Sequence, residues 1–183
     1  MIFSKISCRL LKISLLVTAS ALFTLAGAQT TAKSVVTTEH VRAELMAHAP
    51  DGADAGKKVW LGLQLTHQPN WHTYWKNSGD SGLPTTLQWT MPPGVFAGEI
   101  AWPLPTKIPI GNLANYGYEG TVLLPVPLTI TPDFKLSPLS REIEIKLKAN
   151  WLVCQRCMDR HAALAMTKRG RDEEGAMTRR ARF

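Results

Sequence analysis

Two cysteines near the end of the chain, Cys154 and Cys157, are separated by two residues. This spacing suits reversible thiol–disulfide exchange, because one thiolate attacks a partner's disulfide and the second thiol lies close enough to resolve the mixed disulfide. Arg156 lies between the cysteines, and a positive charge there favours the thiolate form. We therefore predict Cys154 and Cys157 as catalytic residues; the spacing alone does not say which of them attacks.

Two other interpretations of the cysteine pair stay open. A structural disulfide would close the same small loop, and two thiolates are ligands that suit Cu(I). A structural zinc site usually needs four ligands. The histidines that might supply the others have no paired ligand spacing with the cysteines: His40, His48, His67, His72 and His161. We expect no resident cofactor, with Cu(I) as the metal alternative.

Residues 1–28 have the features of a secretory signal peptide. An apolar stretch over Ile13–Leu25 is followed by the small residues Ala26-Gly-Ala28. The basic residues that precede them are Lys5, Arg9 and Lys12. The apolar stretch is shorter than the about 20 residues that an ordinary membrane-spanning helix needs. We expect cleavage near Ala28, a mature protein that is exported from the cytosol, and no membrane span in that mature chain.

The remaining chain divides by charge and composition into one domain and a tail. The net charge of +7 largely disappears over residues 29–157, which contain 11 basic and 10 acidic residues. A nucleic-acid-binding surface needs clustered Lys and Arg, so we expect no nucleic-acid partner. Residues 158–183 carry seven basic and four acidic residues without an apolar period. We expect a single folded domain over 29–157 and a disordered basic tail over 158–183.

Alternation of apolar and polar residues predicts strands rather than helices over most of this domain. The clearest strand is Arg141–Val153, which leads directly to Cys154. The other predicted strands are Val35–Ala49, Val59–Thr66, Thr85–Met91, Gly98–Trp102 and Thr121–Ile130. Short strands separated by Pro- and Gly-containing connectors are typical of an all-β, antiparallel sandwich or barrel.

Two aromatic segments are candidates for surrounding the cysteine pair. Residues 70–82 form an aromatic cluster that runs into a Gly/Asp/Ser turn, and residues 109–120 have the composition of a long, turn-rich loop. Their rings either pack on the core, which is the favoured interpretation for the first segment, or cap a sulfur and contact a partner. The residues concerned are Trp71, Tyr74, Trp75, Tyr116 and Tyr118.

Three motifs carry a family resemblance. They are Trp71-His-Thr-Tyr-Trp-Lys-Asn77 with Gly79-Asp-Ser-Gly-Leu-Pro84, then Asn115-Tyr-Gly-Tyr-Glu-Gly120, then Trp151-Leu-Val-Cys154. Together they resemble the periplasmic N-terminal domain of the thiol:disulfide interchange protein DsbD and its copper-tolerance relatives of the ScsB kind, over roughly 35–157. The resemblance implies an immunoglobulin-like β-sandwich whose cysteines take electrons from a membrane-embedded domain and pass them to periplasmic disulfide isomerases or other thiol proteins. Cys154 matches the first cysteine, and Cys157 is the expected second.

The chain departs from the family pattern at its end. Family members have a longer spacing between the cysteines, followed by an Ile-Pro-like segment, and continue into transmembrane helices and a thioredoxin-like domain. The electron donor would therefore be a membrane-embedded protein on another chain. The resulting prediction is a periplasmic thiol–disulfide exchange module. The alternatives are a non-enzymatic binding or copper-handling sandwich, or an inactive, truncated family member.

Overall fold

The computed structural model describes residues 33–135, 142–156 and 171–182. These residues form β-strands and no helix, so no helix in them could span a membrane. The strands are β1 (Val35–Thr37), β2 (Val41–His48), β3 (Val59–His67), β4 (Trp71–Gly79), β5 (Thr86–Thr90), β6 (Val95–Ala97), β7 (Thr106–Ile110), β8 (Leu113–Glu119), β9 (Thr121–Ile130), β10 (Glu142–Gln155) and β11 (Arg171–Arg182). The predicted signal peptide and Cys157 lie outside the described residues.

The strands form two antiparallel sheets. One sheet has the order β1-β2-β3-β9-β6, and the other has the order β11-β10-β4-β8-β7, with β5 also paired to β10. Apolar side chains from both sheets meet in the same buried cluster, such as Leu63 and Leu124 from the first sheet and Leu147 and Val153 from the second. The predicted all-β, antiparallel sandwich is confirmed.

The alternation in β10 explains how this strand is oriented. Its buried side chains are Ile143, Ile145, Leu147, Ala149, Trp151 and Val153, whereas Glu144, Lys146 and Lys148 are exposed. Successive side chains of a strand point to opposite faces. The odd-numbered positions therefore face the core between the sheets, and Cys154 follows on the outer face.

Three segments differ from the sequence-based expectation. The aromatic segment after Asn70 is strand β4, and the segment expected to be a turn-rich loop is the hairpin of β7 and β8. Residues 98–102 are not a strand; the short strand is β6, just before them. Gly98 and Ala101 nevertheless donate backbone hydrogen bonds to Pro127 and Pro125 of β9, so this stretch follows the sheet edge without completing a regular ladder.

The C-terminal segment 171–182 also differs from the expected disordered tail. It forms β11, whose backbone pairs with β10 from Val153↔Arg171 to Glu142↔Arg182. Met177 is buried in the core, and Glu173 accepts a hydrogen bond of 3.1 Å from the Trp151 indole nitrogen. Backbone pairing with an existing strand edge, together with these contacts, orders a segment whose composition has no strand period.

Gly117 is a point of close backbone contact between β8 and β4. A Cβ atom at Gly117 would overlap the Thr73 carbonyl, which is backbone, whereas a Cβ atom at Gly62 in β3 would meet the flexible side chain of Leu123. Gly117→Ala should therefore lower the free energy of unfolding by about 3 kcal/mol, at the upper end of ordinary overpacking costs. Gly62→Ala, the matched control, should cost less. Urea unfolding of both variants measures this, and equal losses would contradict the prediction.

Candidate functional site

The end of β10 is held beside the start of β4. Cys154 pairs with His72, flanked by the pairs Val153↔Thr73 and Gln155↔Trp71. Asn70, in the turn that precedes β4, has φ of 69°, a left-handed conformation that Asn tolerates better than most residues. Its carbonyl accepts a 2.6 Å hydrogen bond from the Arg156 backbone N–H. This turn thus fixes the chain immediately after the cysteine.

Cys154, His72 and Tyr74 share the outer face of the sheet. Directly opposite residues of an antiparallel pair project to the same side, so the His72 side chain accompanies Cys154, and Tyr74 follows two residues along β4. His72 and Tyr74 are buried, whereas Cys154 is half-buried. The two ring systems meet edge to face with centroids 5.0 Å apart. The thiol is therefore enclosed on one side and accessible on the other.

Tyr74 contacts the cysteine directly. Burial raises the pKa of Tyr74 well above its usual value, and hydrogen bonding and charge interaction with the Cys154 side chain raise it further. A neutral phenol is a hydrogen-bond donor. A donor aimed at sulfur stabilises the thiolate form relative to the thiol.

The segment 78–84 covers Tyr74. A Cβ atom at Gly82 would overlap the Tyr74 ring, and Pro84 forms an isolated parallel bridge with Tyr74. The segment is held by Ser81, whose backbone N–H and hydroxyl donate to Asn115 Oδ1 at 2.9 and 3.0 Å. Asp80 Oδ2 accepts the Ala114 N–H at 2.7 Å. The Gly/Asp/Ser motif therefore works as a fixed cover over Tyr74.

His72 is a fully buried imidazole beside the cysteine. Neither of its ring nitrogens has a hydrogen-bond partner in the part of the chain that is described. Burial, together with the smaller effects of the neighbouring His67 and Arg156 charges, lowers the pKa of His72 to about 4. The ring is consequently neutral at neutral pH, so it lines one side of the site without adding a charge.

Arg156 lies near the site with its charge partly compensated. Its guanidinium forms an ion pair with Glu119 at 3.4 Å. The expected effect of Arg156 on the cysteine thiolates stays a prediction, because Cys157 lies outside the described residues.

The predicted aromatic residues divide into two groups. Trp71, Trp75 and Tyr118 pack against the core cluster, and the Tyr118 hydroxyl donates to the Pro103 carbonyl at 2.8 Å. Tyr116 is partly exposed, opposite Lys107 on β7. Of the five, Tyr74 is the one that we can place in contact with the sulfur; partner contact by the others stays a prediction.

Sequence reasoning missed His72, Ser81 and Asn115 as neighbours of the site. The alternation His72-x-Tyr74 would have placed both side chains on one face, had the segment been recognised as a strand. Among the described residues, no group of three or more His, Cys, Asp or Glu side chains could hold a metal ion. A Cu(I) site of two thiolates would involve Cys157 and stays a prediction.

The buried histidines predict that stability falls with acidification. The pKa values of both His72 and His67 are lowered by burial, so the unfolded chain, with histidine pKa near 6.5, binds more protons below that pH. For His72 alone, the free energy of unfolding should drop by roughly 2 kcal/mol between pH 7 and pH 5. Urea unfolding at both pH values should show a smaller drop in the free energy of unfolding for His72→Gln than for the parent protein. The exposed-residue control His48→Gln should keep the full drop, and an unchanged slope in His72→Gln would refute the assignment.

Comparison with known proteins places this geometry in context. The model of the family "Thiol:disulfide interchange protein DsbD, N-terminal" matches residues 42–168. Among solved structures, the N-terminal periplasmic domain of ScsB from Proteus mirabilis is similar with a TM-score of 0.54 at 17% sequence identity, which shows a shared fold. The match covers 80% of this chain and 49% of that one, so this chain spans about half of the ScsB structure. No curated protein sequence matches the chain.

The family match extends over β2 to β10 and includes all three motifs and both cysteines. The structural similarity to the ScsB domain agrees with it by showing a shared fold. The chain therefore belongs to the family of the N-terminal domain of the thiol:disulfide interchange protein DsbD.

Proposed function

We propose that this protein is a periplasmic thiol–disulfide exchange module in which Cys154 is the attacking thiol and Cys157 the resolving one. The observation that carries the proposal is the half-buried Cys154 at the end of β10, directly opposite the buried His72 and on the same face as Tyr74. Family membership supports the same chemistry. The signal-peptide features of residues 1–28, and the periplasmic origin of the similar ScsB domain, support the compartment.

The exchange step balances with the two cysteines alone. The Cys154 thiolate attacks one sulfur of a partner's disulfide, forms a mixed disulfide and releases the first partner thiolate. The Cys157 thiolate then attacks the Cys154 sulfur, which creates the Cys154–Cys157 disulfide and releases the second partner thiolate. Two electrons pass to the partner, and its thiolates take protons from solvent according to their pKa values. A membrane-embedded donor on another chain would return the pair to the dithiol.

The arrangement around Cys154 suits this direction of attack. The Tyr74 hydroxyl is placed to donate a hydrogen bond to the sulfur. His72 is neutral, so it forms no ion pair with the thiolate that would make the sulfur less reactive. The attacking sulfur must be reached by a second protein, and Cys154 is half-buried rather than enclosed. A thiolate that is buried on one side and accessible on the other can react with the disulfide of a docked protein, while water is excluded from its buried side.

The reduction potential of the cysteine pair tests whether it is an exchange pair. In the mature protein equilibrated with glutathione or dithiothreitol buffers, we expect reversible behaviour between roughly −120 and −270 mV, the span of exchange proteins. A pair that opens only below about −300 mV would be a structural disulfide. A pair that never bridges would favour the copper-handling or inactive alternatives. Either result would refute the proposed function.

The order of attack is testable with a chromogenic aromatic disulfide such as dithiobis(nitrobenzoate). The reduced mature protein should release two thiolates of the reagent, because Cys157 resolves the first mixed disulfide. Cys157→Ser should release one thiolate at a similar initial rate and keep the adduct, which mass spectrometry locates on Cys154. Cys154→Ser should react more slowly. Faster reaction of Cys154→Ser than of Cys157→Ser would reverse the assignment.

A further inference from the structure

A groove of about 500 Å³ lies on the outer face of β10, between its neighbours β5 and β11. Asn150 and Leu152 face outward from β10, as Cys154 does, and form its floor. In the strand register, Asn150 lies between Thr86 of β5 and Glu174 of β11. The other lining residues include Leu83 and Pro84, which precede β5. A concave surface with apolar side chains and a few polar groups is the usual form of a binding site.

The groove and the thiol lie on the same surface. Leu152 is two residues before Cys154 on the same face of β10, a separation of about 7 Å along the strand. Pro84, from the side of the groove, forms the bridge with Tyr74, which shares the outer face with Cys154. A partner segment whose disulfide reaches Cys154 would therefore extend over the groove.

The cover segment presents an exposed apolar side chain to this groove. Leu83 is 60% exposed, and it follows Gly82, whose missing side chain lets the backbone pass over the Tyr74 ring. The hydrogen bonds of Ser81 and Asp80 hold the segment in place. Single exposed leucines are common on protein surfaces. Leu83, however, lies with Pro84 and the half-buried Leu152 along one groove beside the reacting sulfur.

The opposite side of the groove is acidic. Glu174 is exposed and forms an ion pair of 3.1 Å with Lys148, which precedes the groove on β10. Glu173 also lines the groove, and its carboxylate accepts the hydrogen bond from the Trp151 indole. No Lys or Arg is among the lining residues that the structure describes. Exposed ion pairs are weak, so a cation from a partner can share Glu174 with Lys148.

We propose that this groove selects the partner of the exchange reaction by binding the segment next to the partner's reacting cysteine. Leu83 and Leu152 contact a large apolar side chain of that segment, and Glu174 favours a basic residue over an acidic one beside it. This inference rests on the proposed function, because the occupant is the protein whose disulfide Cys154 attacks. The groove residues contact no reacting atom, so they determine specificity and leave the exchange step itself to the cysteines.

The test uses synthetic peptides whose single cysteine carries thionitrobenzoate as a mixed disulfide. In the mature chain carrying Cys157→Ser, the Cys154 thiolate attacks the peptide sulfur, forms a disulfide with the peptide and releases the coloured thionitrobenzoate anion. The peptides differ only at the residues beside the cysteine, which are leucine, serine, lysine or glutamate. Each variant is compared by the ratio of its rate constants for two peptides, because this ratio cancels any change in the reactivity of the thiol.

The parent should react about 10-fold faster with the leucine peptide than with the serine peptide, the size of burying part of one leucine side chain. Leu83→Ala should reduce this ratio to about 3-fold, and Leu83→Met should restore it. The control Leu123→Ala removes an exposed leucine from the other sheet and should keep the parent ratio. A parent ratio near 1, which needs no variant to measure, or an unchanged ratio in Leu83→Ala would overturn the proposal.

The acidic side of the groove has its own control. The parent should prefer the lysine peptide to the glutamate peptide about 3-fold at low salt, the size of one exposed ion pair, and added salt should weaken the preference. Glu174→Gln should remove most of it. Glu144→Gln changes another outward-facing carboxylate, paired with Lys146 at 3.3 Å outside the groove, and should keep it. Equal losses in both variants would overturn the role of Glu174.

The same peptides separate this inference from the proposed function. Release of thionitrobenzoate at one rate from every peptide would leave the exchange function standing and remove the specificity groove. If no peptide releases it, the exchange function fails, and an NMR titration with the leucine peptide carrying serine in place of cysteine decides about the groove. Saturating amide shifts at Thr86, Asn150 and Leu152 would support the groove, and the absence of shifts there would overturn it.

Discussion

The pairing register between the end of β10 and the start of β4 is the constraint on which the rest of the site depends. Only three residue pairs join these strands, with Cys154 opposite His72 at the centre. Side chains alternate between the two faces, so a slip of one residue would turn Cys154 into the core and Val153 outward. The apolar run of β10 prevents this slip, because all its buried positions would move with it. Core packing thus determines which way the thiol points.

The sequence could predict those strands of which one face is buried and the other is exposed to solvent. β3, β9 and β10 have that alternation, and their predicted positions agree with the structure to within two residues. β4 lacks it for a physical reason. Trp71 and Trp75 pack toward the core while His72 and Tyr74 are buried on the opposite face, so both faces carry large rings and no polarity period remains.

The other unpredicted elements depend on long-range contacts. β11 is ordered by pairing with a strand whose residues lie 18 (Val153↔Arg171) to 40 (Glu142↔Arg182) positions earlier in the chain, and no local pattern encodes that. At the site, the spacing and the motif before it were enough to single out Cys154. Its neighbours were not predictable in the same way, because His72, Ser81 and Asn115 come from a strand, a turn and another strand that meet only through sheet register. The motifs include segments that lie beside Cys154, and the fold determines how those segments are arranged around it.

The polar groups behind Cys154 are costly to bury, and this cost is informative. His72 and Asn115 each keep a buried nitrogen without a hydrogen-bond partner in the described residues, where apolar side chains of similar size would pack without that penalty. Departures from local rules of packing concentrate at functional sites. Here they lie on the outer face of one sheet, beside Cys154. The side chains of β10 alternate between buried core positions and the outer face that carries Cys154, so the stable core and the thiol belong to the same strand.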